Sequence, residues 1–227
     1  MSSINHQKAK SIIINSNKFI NAGLLNISAL YKNYINEVVI PYGMIVDRIE
    51  AQAKQILEEY QGKDIVFLVM LKGAITYANY LMKFIYEISD RIEFKGRISF
   101  EYISSSSYSH DKSTGQLKVT KSDDILDKLK GKNLIIIEDT YDSGFSLNSF
   151  IADYLTFLGL LSLKTCVLFY KSNKENFKYD LQIDYIGFSL PGDAFIIGFG
   201  LDYQEKFRDL KHLCVISDQG LKSLKNE

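Results

Sequence analysis

The stretch LIIIEDTYDSGFSLNSF, Leu134 to Phe150, carries two signals that pull against each other. The aliphatic run Leu134 to Ile137 reads as a buried strand. The small, turn-prone Asp142-Ser143-Gly144 then opens a segment in which Leu147, Phe150, Ile151, Tyr154, Leu155 and Leu158 fall on one helical face. A tight turn of small residues entering a helix suits an anion, because backbone N–H groups without intrahelical partners converge there and the helix dipole favours negative charge. Yet Glu138, Asp139 and Asp142 stand around this same turn. The chain places carboxylates beside what reads as a phosphate cradle.

Outward from that stretch, strands alternate with amphipathic helices. Ile45, Ile49, Ala53, Ile56, Leu57 and Tyr60 make one face of a helix over 44–60. DIVFLVMLKG, Asp64 to Gly73, is a continuous apolar run ending in Lys-Gly, the pattern of a buried parallel strand. A helix is expected near Thr76 to Ile88, and RISFEYI alternates like a strand. SSSSYSHDKSTGQ, Ser104 to Gln116, is polar and by composition reads as a solvated loop. LKTCVLFYK (Leu163 to Lys171), YIGFSL, FIIGFG and HLCVIS supply further strands, whereas residues 1 to about 37 are Asn- and Ser-rich and read as an irregular lead-in. This pattern predicts an α/β fold with a mostly parallel sheet. Ligands of such sheets sit at the carboxyl ends of the strands. Lys72, the Glu138–Asp139–Asp142 group and Lys171 each lie just past a strand end, so they should share one rim.

Composition narrows the function. The 227 residues suit one large domain, and neither an internal repeat nor a Pro/Gly/Ser linker divides them. Hydrophobic residues at 46% and aromatics at 13% exclude general disorder. With 27 basic and 27 acidic residues there is no global field to draw the chain to nucleic acid or an anionic membrane. Cys166 and Cys214 lie in apolar runs and read as reduced core residues. No apolar run approaches a membrane span, and the N-terminal IIIN is too short for a signal core, so a cytoplasmic protein is expected.

Several familiar motifs fail. GFGLDYQ at Gly198 begins like a dinucleotide fingerprint but has Tyr203 at the third glycine position. No Walker A sequence exists, and without a G-x-S-x-G elbow Ser143 is a poor hydrolase nucleophile. His6, His110 and His212 lack metal-ligand spacing and read as ordinary loop or surface residues.

An acid pair directly after an aliphatic strand, then a small-residue turn and a helix, resembles the phosphoribosyl pyrophosphate signature of the phosphoribosyltransferases. VVIPYGMIVDRIEAQAK, VMLKG, SYSHDKSTGQLKV, GKNLIIIEDTYDSG and DAFIIGFGLDYQEKFRDLKHLCVIS follow in the order and spacing of the hypoxanthine-guanine phosphoribosyltransferases, and the likeness runs from about residue 37 to 220. The resemblance implies a ligand that accounts for the carboxylates. Its 5-phosphate would lie in the turn formed by Thr140, Tyr141, Asp142, Ser143, Gly144, Phe145 and Ser146, bonded by backbone N–H groups and the two serine hydroxyls. Its ribose hydroxyls would face Glu138 and Asp139.

Further roles follow from the same resemblance. Leu71, Lys72 and Gly73 match the pyrophosphate-binding loop, whose peptide before the lysine is often cis in the family, and Arg208 matches a pyrophosphate contact. Asp142 matches the base that takes the purine N7 proton. Lys171 matches the donor to the exocyclic 6-oxygen, Phe195 the aromatic stacked on the base, and Ile196 a backbone reader of the purine edge. Asp202, on the purine side, joins Glu138 and Asp139 as a Mg2+-site acid. Ser107 and Tyr108 match a loop that closes over the reaction, which replaces the solvated-loop reading. The implied fold is a single domain over 1–227, a five-stranded, mostly parallel core over about 38–190 with a small hood from 1–37 and 191–227. The implied assembly is a homodimer or homotetramer that uses small-molecule substrates, phosphoribosyl pyrophosphate and a 6-oxopurine, with no nucleic acid and no membrane.

Phe145 and Ala194 stand where vertebrate members carry lysine, and Ser104 and Ser106 where they carry basic residues, which implies weaker phosphate or pyrophosphate binding. A non-catalytic nucleotide-sensing or RNA-binding regulator on the same fold would show a basic face, or loss of Asp142 and the Ser107–Tyr108 pair; the sequence has neither feature. Adenine as substrate conflicts with Lys171, whose ammonium has no acceptor for a 6-amino group.

Overall fold

The computed structural model describes residues 11–106, 118–120, 123–171, 181–192 and 195–225. In chain order the elements are β1 (Ile12–Ile13), β2 (Ile20–Asn21), β3 (Ile35–Ile40), α1 (Tyr42–Glu59), β4 (Ile65–Leu71), α2 (Ile75–Arg91), β5 (Ile98–Ser106), β6 (Lys118–Thr120), α3 (Asp123–Leu129), β7 (Asn133–Tyr141), α4 (Phe145–Phe150), β8 (Ser162–Lys171), β9 (Tyr185–Leu190), β10 (Ile196–Ile197), β11 (Leu213–Ile216) and α5 (Asp218–Lys225).

The main sheet runs β1-β9-β8-β7-β4-β5-β6. Every pairing in it is parallel except β5 with β6. The five central strands are those expected from the apolar runs and from the alternating RISFEYI. The expected strand count is corrected by the two short edges, β1 and β6, which make the sheet seven-stranded. β6 is largely polar, and β1 is a pair of isoleucines too short to declare a strand by its pattern. β1 lies in the supposed lead-in, where Ile12 packs against the core and the backbone pairs with β9, while β6 pairs with the polar Ser104–Ser106 through its backbone. A second, antiparallel sheet, β10-β11-β3-β2, gathers segments from both ends of the described chain. β3 crosses the boundary placed near residue 37, and β1 joins the main sheet.

Strand alternation explains the layers. Ile65, Phe67 and Val69 of β4, with Ile135 and Ile137 of β7, pack against Ile45, Ile49 and Ile56 of α1 and Tyr77, Leu81 and Ile85 of α2. Val66, Leu68, Met70, Leu134 and Ile136 point the other way, onto Leu147, Phe150 and Leu155. Each such fully buried aliphatic or aromatic side chain contributes roughly 1.5–3 kcal/mol, so burial on both faces holds the β4–β7 pair firmly. Pro41 fixes the entry to α1, its carbonyl accepting from the Met44 and Ile45 N–H groups at 3.0 and 3.2 Å. The single helix expected after the turn is shorter than its periodicity suggests. α4 gives way at Ile151 to a wider turn in which the Thr156 N–H reaches back five residues to the Ile151 carbonyl at 3.1 Å.

Cys166 and Cys214 are free and buried, as their runs suggest, and burial pushes both thiols up to about 12. His212 corrects its surface reading. It is buried, and its Nδ1 accepts from the Tyr42 N–H at 2.9 Å. His6 and His110 lie outside the described residues. No helix among the described residues is long and apolar enough to cross a membrane.

Candidate active site

β7 lies between β4 and β8, so its carboxyl end opens at the middle of the rim. Glu138 and Asp139 form part of its last turns of pleat, and the chain bends through residues 142–144 into α4. Gly144 holds the bend with φ +75°, and a Cβ there would lie 2.3 Å from the Tyr141 hydroxyl. Only glycine satisfies both conditions. Asn148, one helical turn on, donates from Nδ2 to the Gly144 carbonyl at 2.7 Å and to the Tyr141 hydroxyl at 3.2 Å.

The bend encloses a cavity of about 90 Å³, lined by Glu138, Thr140 and residues 141–147. Two polar atoms in its lining, Glu138 Oε2 and Thr140 Oγ1, are buried without a hydrogen-bond partner. Buried polar groups are nearly always paired, so a donor or a cation belongs beside them. Burial raises the Glu138 carboxyl well above its ordinary range, and the neighbouring Asp139 raises it further. Burial also lifts Asp139 to about 6, against the opposing pull of the Thr140 N–H, 2.6 Å from Oδ1, and of the Arg208 charge. The acid pair is thus poised for a positive partner.

Asp139 also meets the loop after β4. A Cβ on Gly73 would lie 1.7 Å from Asp139 Oδ2, so the loop can approach the acid only because residue 73 is glycine. The Leu71–Lys72 peptide in that loop is cis. Gly200 in turn lies against the Gly73 carbonyl, with room for no side chain. Arg208 pairs with Asp202 at 2.7 Å and donates to the Gly200 carbonyl at 2.9 Å. Glu205 ties these together. Its carboxylate takes Lys72 at 3.5 Å and Arg208 at 3.3 Å, and its N–H donates to Asp202 at 2.9 Å.

On the other flank, Lys171 at the end of β8 pairs with Asp142 at 2.8 Å. Tyr141 and Tyr170, the residues just before them, are register partners whose rings stack at 5.6 Å. The lysine is largely covered (12% exposed) while the aspartate is half open (52%), so the pair presents its acid end to solvent. Phe195 is exposed and meets Tyr203 edge-on at 5.4 Å, and Ile196 is buried in β10. The structure therefore joins Leu71, Lys72, Gly73, Asp139, Asp202 and Arg208 into one contact network, and Asp142 with Lys171 into another. Ser143 is a weak partner of the Phe145 N–H at 3.4 Å. Ser107, Tyr108 and Ala194 lie outside the described residues. Glu138, Asp139 and Asp202 do not converge into one cage, since no cluster of three metal-binding side chains occurs among the described residues.

A model of the phosphoribosyl transferase domain matches residues 41–204. The hypoxanthine-guanine phosphoribosyltransferase of Cricetulus griseus is 35% identical over 190 residues, 84% of this chain and 85% of the relative. The chain belongs to the hypoxanthine-guanine phosphoribosyltransferase family. The family's hypoxanthine-guanine-xanthine phosphoribosyltransferase of Plasmodium falciparum is 36% identical over 202 residues, covering 88% of this chain and 85% of the relative. The fold matches the family's Schistosoma mansoni enzyme, solved in complex with IMP, with a TM-score of 0.77, 26% identity and coverage of 95% of this chain and 99% of the other. As a member of this family the chain is a pentosyltransferase that acts in purine salvage by phosphoribosyl transfer. Sequence reasoning missed Asn148 and Glu205. Asn148 had a visible signal, an amide one helical turn past the glycine; Glu205 had none.

Proposed function

We propose that the chain transfers the 5-phosphoribosyl group of phosphoribosyl pyrophosphate to hypoxanthine or guanine, giving IMP or GMP and pyrophosphate, with Mg2+. The observation that carries this reading is the Asp142–Lys171 pair, an acceptor and a donor 2.8 Å apart beside the cavity. A 6-oxopurine carries N7–H and O6 side by side on one edge, the mirror of that pair. Adenine offers a 6-amino donor to the lysine instead and leaves both donors unpaired.

In this mechanism the 5-phosphate sits in the 141–147 cavity, and the ribose hydroxyls donate to Glu138 and Asp139. Bond breaking at the anomeric carbon leads, and the acid pair stabilises the positive charge that develops on the sugar. Asp142 accepts the N7 proton as the purine nitrogen attacks. Lys171 holds O6, Phe195 stacks on the ring, and Ile196 presents its backbone to the edge. Lys72 and Arg208 take the pyrophosphate oxygens, and the Ser107–Tyr108 segment closes over the site to keep water from the sugar cation.

The residues fit a hard divalent cation. Glu138 has a buried oxygen without a partner, and both acids are lifted by burial. Mg2+ is commonly held by one or two carboxylates together with substrate phosphates, which suits Glu138 and Asp139, with Asp202 nearby in the same contact network. Bound there, it would supply charge neutralisation to the departing pyrophosphate. The test is an assay of hypoxanthine, guanine, xanthine and adenine with phosphoribosyl pyrophosphate, with and without Mg2+. Metal-dependent turnover of hypoxanthine and guanine, with adenine at least ~10-fold poorer, is expected. Adenine as the best substrate would overturn the reading.

A further inference from the structure

We infer that Asn148 is a positioning residue that orients the phosphate-binding turn, acting through the Gly144 carbonyl. The inference rests on the reading of the 141–147 cavity as the 5-phosphate site. The Gly144 carbonyl accepts two hydrogen bonds, from the Asn148 N–H at 3.0 Å and from Asn148 Nδ2 at 2.7 Å. The first belongs to the helix backbone and would form with any residue at 148. The second is specific to this side chain. Because a carbonyl can only accept, the atom facing it must be the amide nitrogen, which fixes the orientation of the Asn148 side chain. Its other hydrogen is used by the Tyr141 hydroxyl at 3.2 Å.

Peptide planarity turns this local bond into control of the cradle. The carbonyl of one residue and the N–H of the next point in opposite directions across a trans peptide. Holding the Gly144 carbonyl toward Asn148 therefore also sets the direction of the Phe145 N–H, which here meets the Ser143 hydroxyl at 3.4 Å, both residues lining the cavity. The hold matters here because glycine at φ +75° has the widest conformational freedom of any residue. Tyr141 closes the bracket from below, with its hydroxyl 2.3 Å from where a Gly144 Cβ would stand and its ring stacked on Tyr170. Tyr170 precedes Lys171, so the bracket also anchors the turn to the strand that bears the purine lysine. With Phe145 in a position where a cation could have gripped the phosphate by charge, N–H orientation carries a larger share of the binding.

The test compares wild type with Asn148→Leu, which keeps the shape but loses both donors, and Asn148→Gln, which keeps the donors on a longer arm. Asn148→Leu should raise KM for phosphoribosyl pyrophosphate about 10-fold, and weaken ribose 5-phosphate in calorimetry by a similar factor. KM for hypoxanthine and the affinity for pyrophosphate should stay within about 2-fold, and Asn148→Gln should recover part of the loss. Hydrogen exchange at the Phe145 amide should quicken in Asn148→Leu. Unchanged KM for phosphoribosyl pyrophosphate and unchanged ribose 5-phosphate binding in a folded Asn148→Leu would overturn the inference. So would a uniform loss across all substrates that tracks a lowered melting temperature, the mark of a merely structural residue. A wild-type chain that binds ribose 5-phosphate but turns over no purine would sink the functional reading alone, since calorimetry still reads Asn148.

Discussion

The two halves of the site are built in opposite ways. The phosphate turn is local: its fixing bonds join Asn148 to residues four and seven positions earlier. The pyrophosphate side is assembled from afar: Glu205 bridges Arg208, three residues on, to Lys72, 133 residues away, and Gly73 presses on Asp139 from another strand end. A local device can be altered with effects confined to one chemical group. A device made of three segments transmits a change in any one of them to the others.

The largest effect should come from where the halves meet the purine. Asp142→Asn should lower kcat roughly 10²-fold or more, the typical worth of a positioned acid–base group, with modest change in sugar-substrate affinity. Single-turnover rates near wild type would remove Asp142 as the base. Gly73→Ala comes next. Its Cβ would collide with Asp139, so the loop and the acid must separate, and KM for phosphoribosyl pyrophosphate should rise about 10-fold or more together with a fall in kcat. If only one parameter moved, the distant half would be as separable as the local one.

A smaller change, of opposite sign, is expected at Glu205. Exposed ion pairs hold weakly, so Glu205→Gln should free Lys72 and Arg208 and tighten pyrophosphate product inhibition by up to about 5-fold. Weaker inhibition would show instead that Glu205 positions the cations for the ligand. The smallest effect concerns pH and the contact between the second sheet and α1. Burial lowers the His212 pKa below its ordinary 6.5, while the Asn26 backbone bond opposes the shift and the nearby Lys211 charge adds to it. Its Nδ1 must stay unprotonated to accept the Tyr42 N–H. A lowered histidine favours the folded state above the unfolded value and withdraws that support as pH falls through the folded value. The melting temperature should therefore drop on acidification below about pH 6.5, and less so in His212→Gln. Identical pH profiles for the two proteins would exclude His212 as the cause.

The same contrast explains what the sequence made legible. Leu134–Ile137, the acid pair and the turn could be read directly, because the strand, the bend and the helix each leave a local pattern. So could the shared rim, which follows from parallel topology once strand ends are located. The edges β1 and β6 could not: two isoleucines are too short a run to declare a strand, and the largely polar β6, paired through its backbone, carries no hydrophobic signature. β3 straddled the supposed end of the lead-in because pairing sets its extent: β2 lies inside the supposed lead-in and β11 near the far end of the described chain. His212 read as a surface residue because nothing in its neighbours announces a buried bond to Tyr42. Glu205 sat inside a family motif, yet its grip on Lys72 depends on a loop brought in from β4.

The central claim is that Asp142 and Lys171 together read the N7–O6 edge of a purine, and kcat/KM for hypoxanthine and adenine in wild type and Lys171→Gln tests it most directly. Glutamine offers an acceptor as well as a donor, so the hypoxanthine-to-adenine ratio should fall about 10-fold or more, mainly through loss of hypoxanthine turnover. A ratio that does not move would show that Lys171 does not read the 6-position, and that its 2.8 Å bond to Asp142 is only an ion pair at the end of a strand.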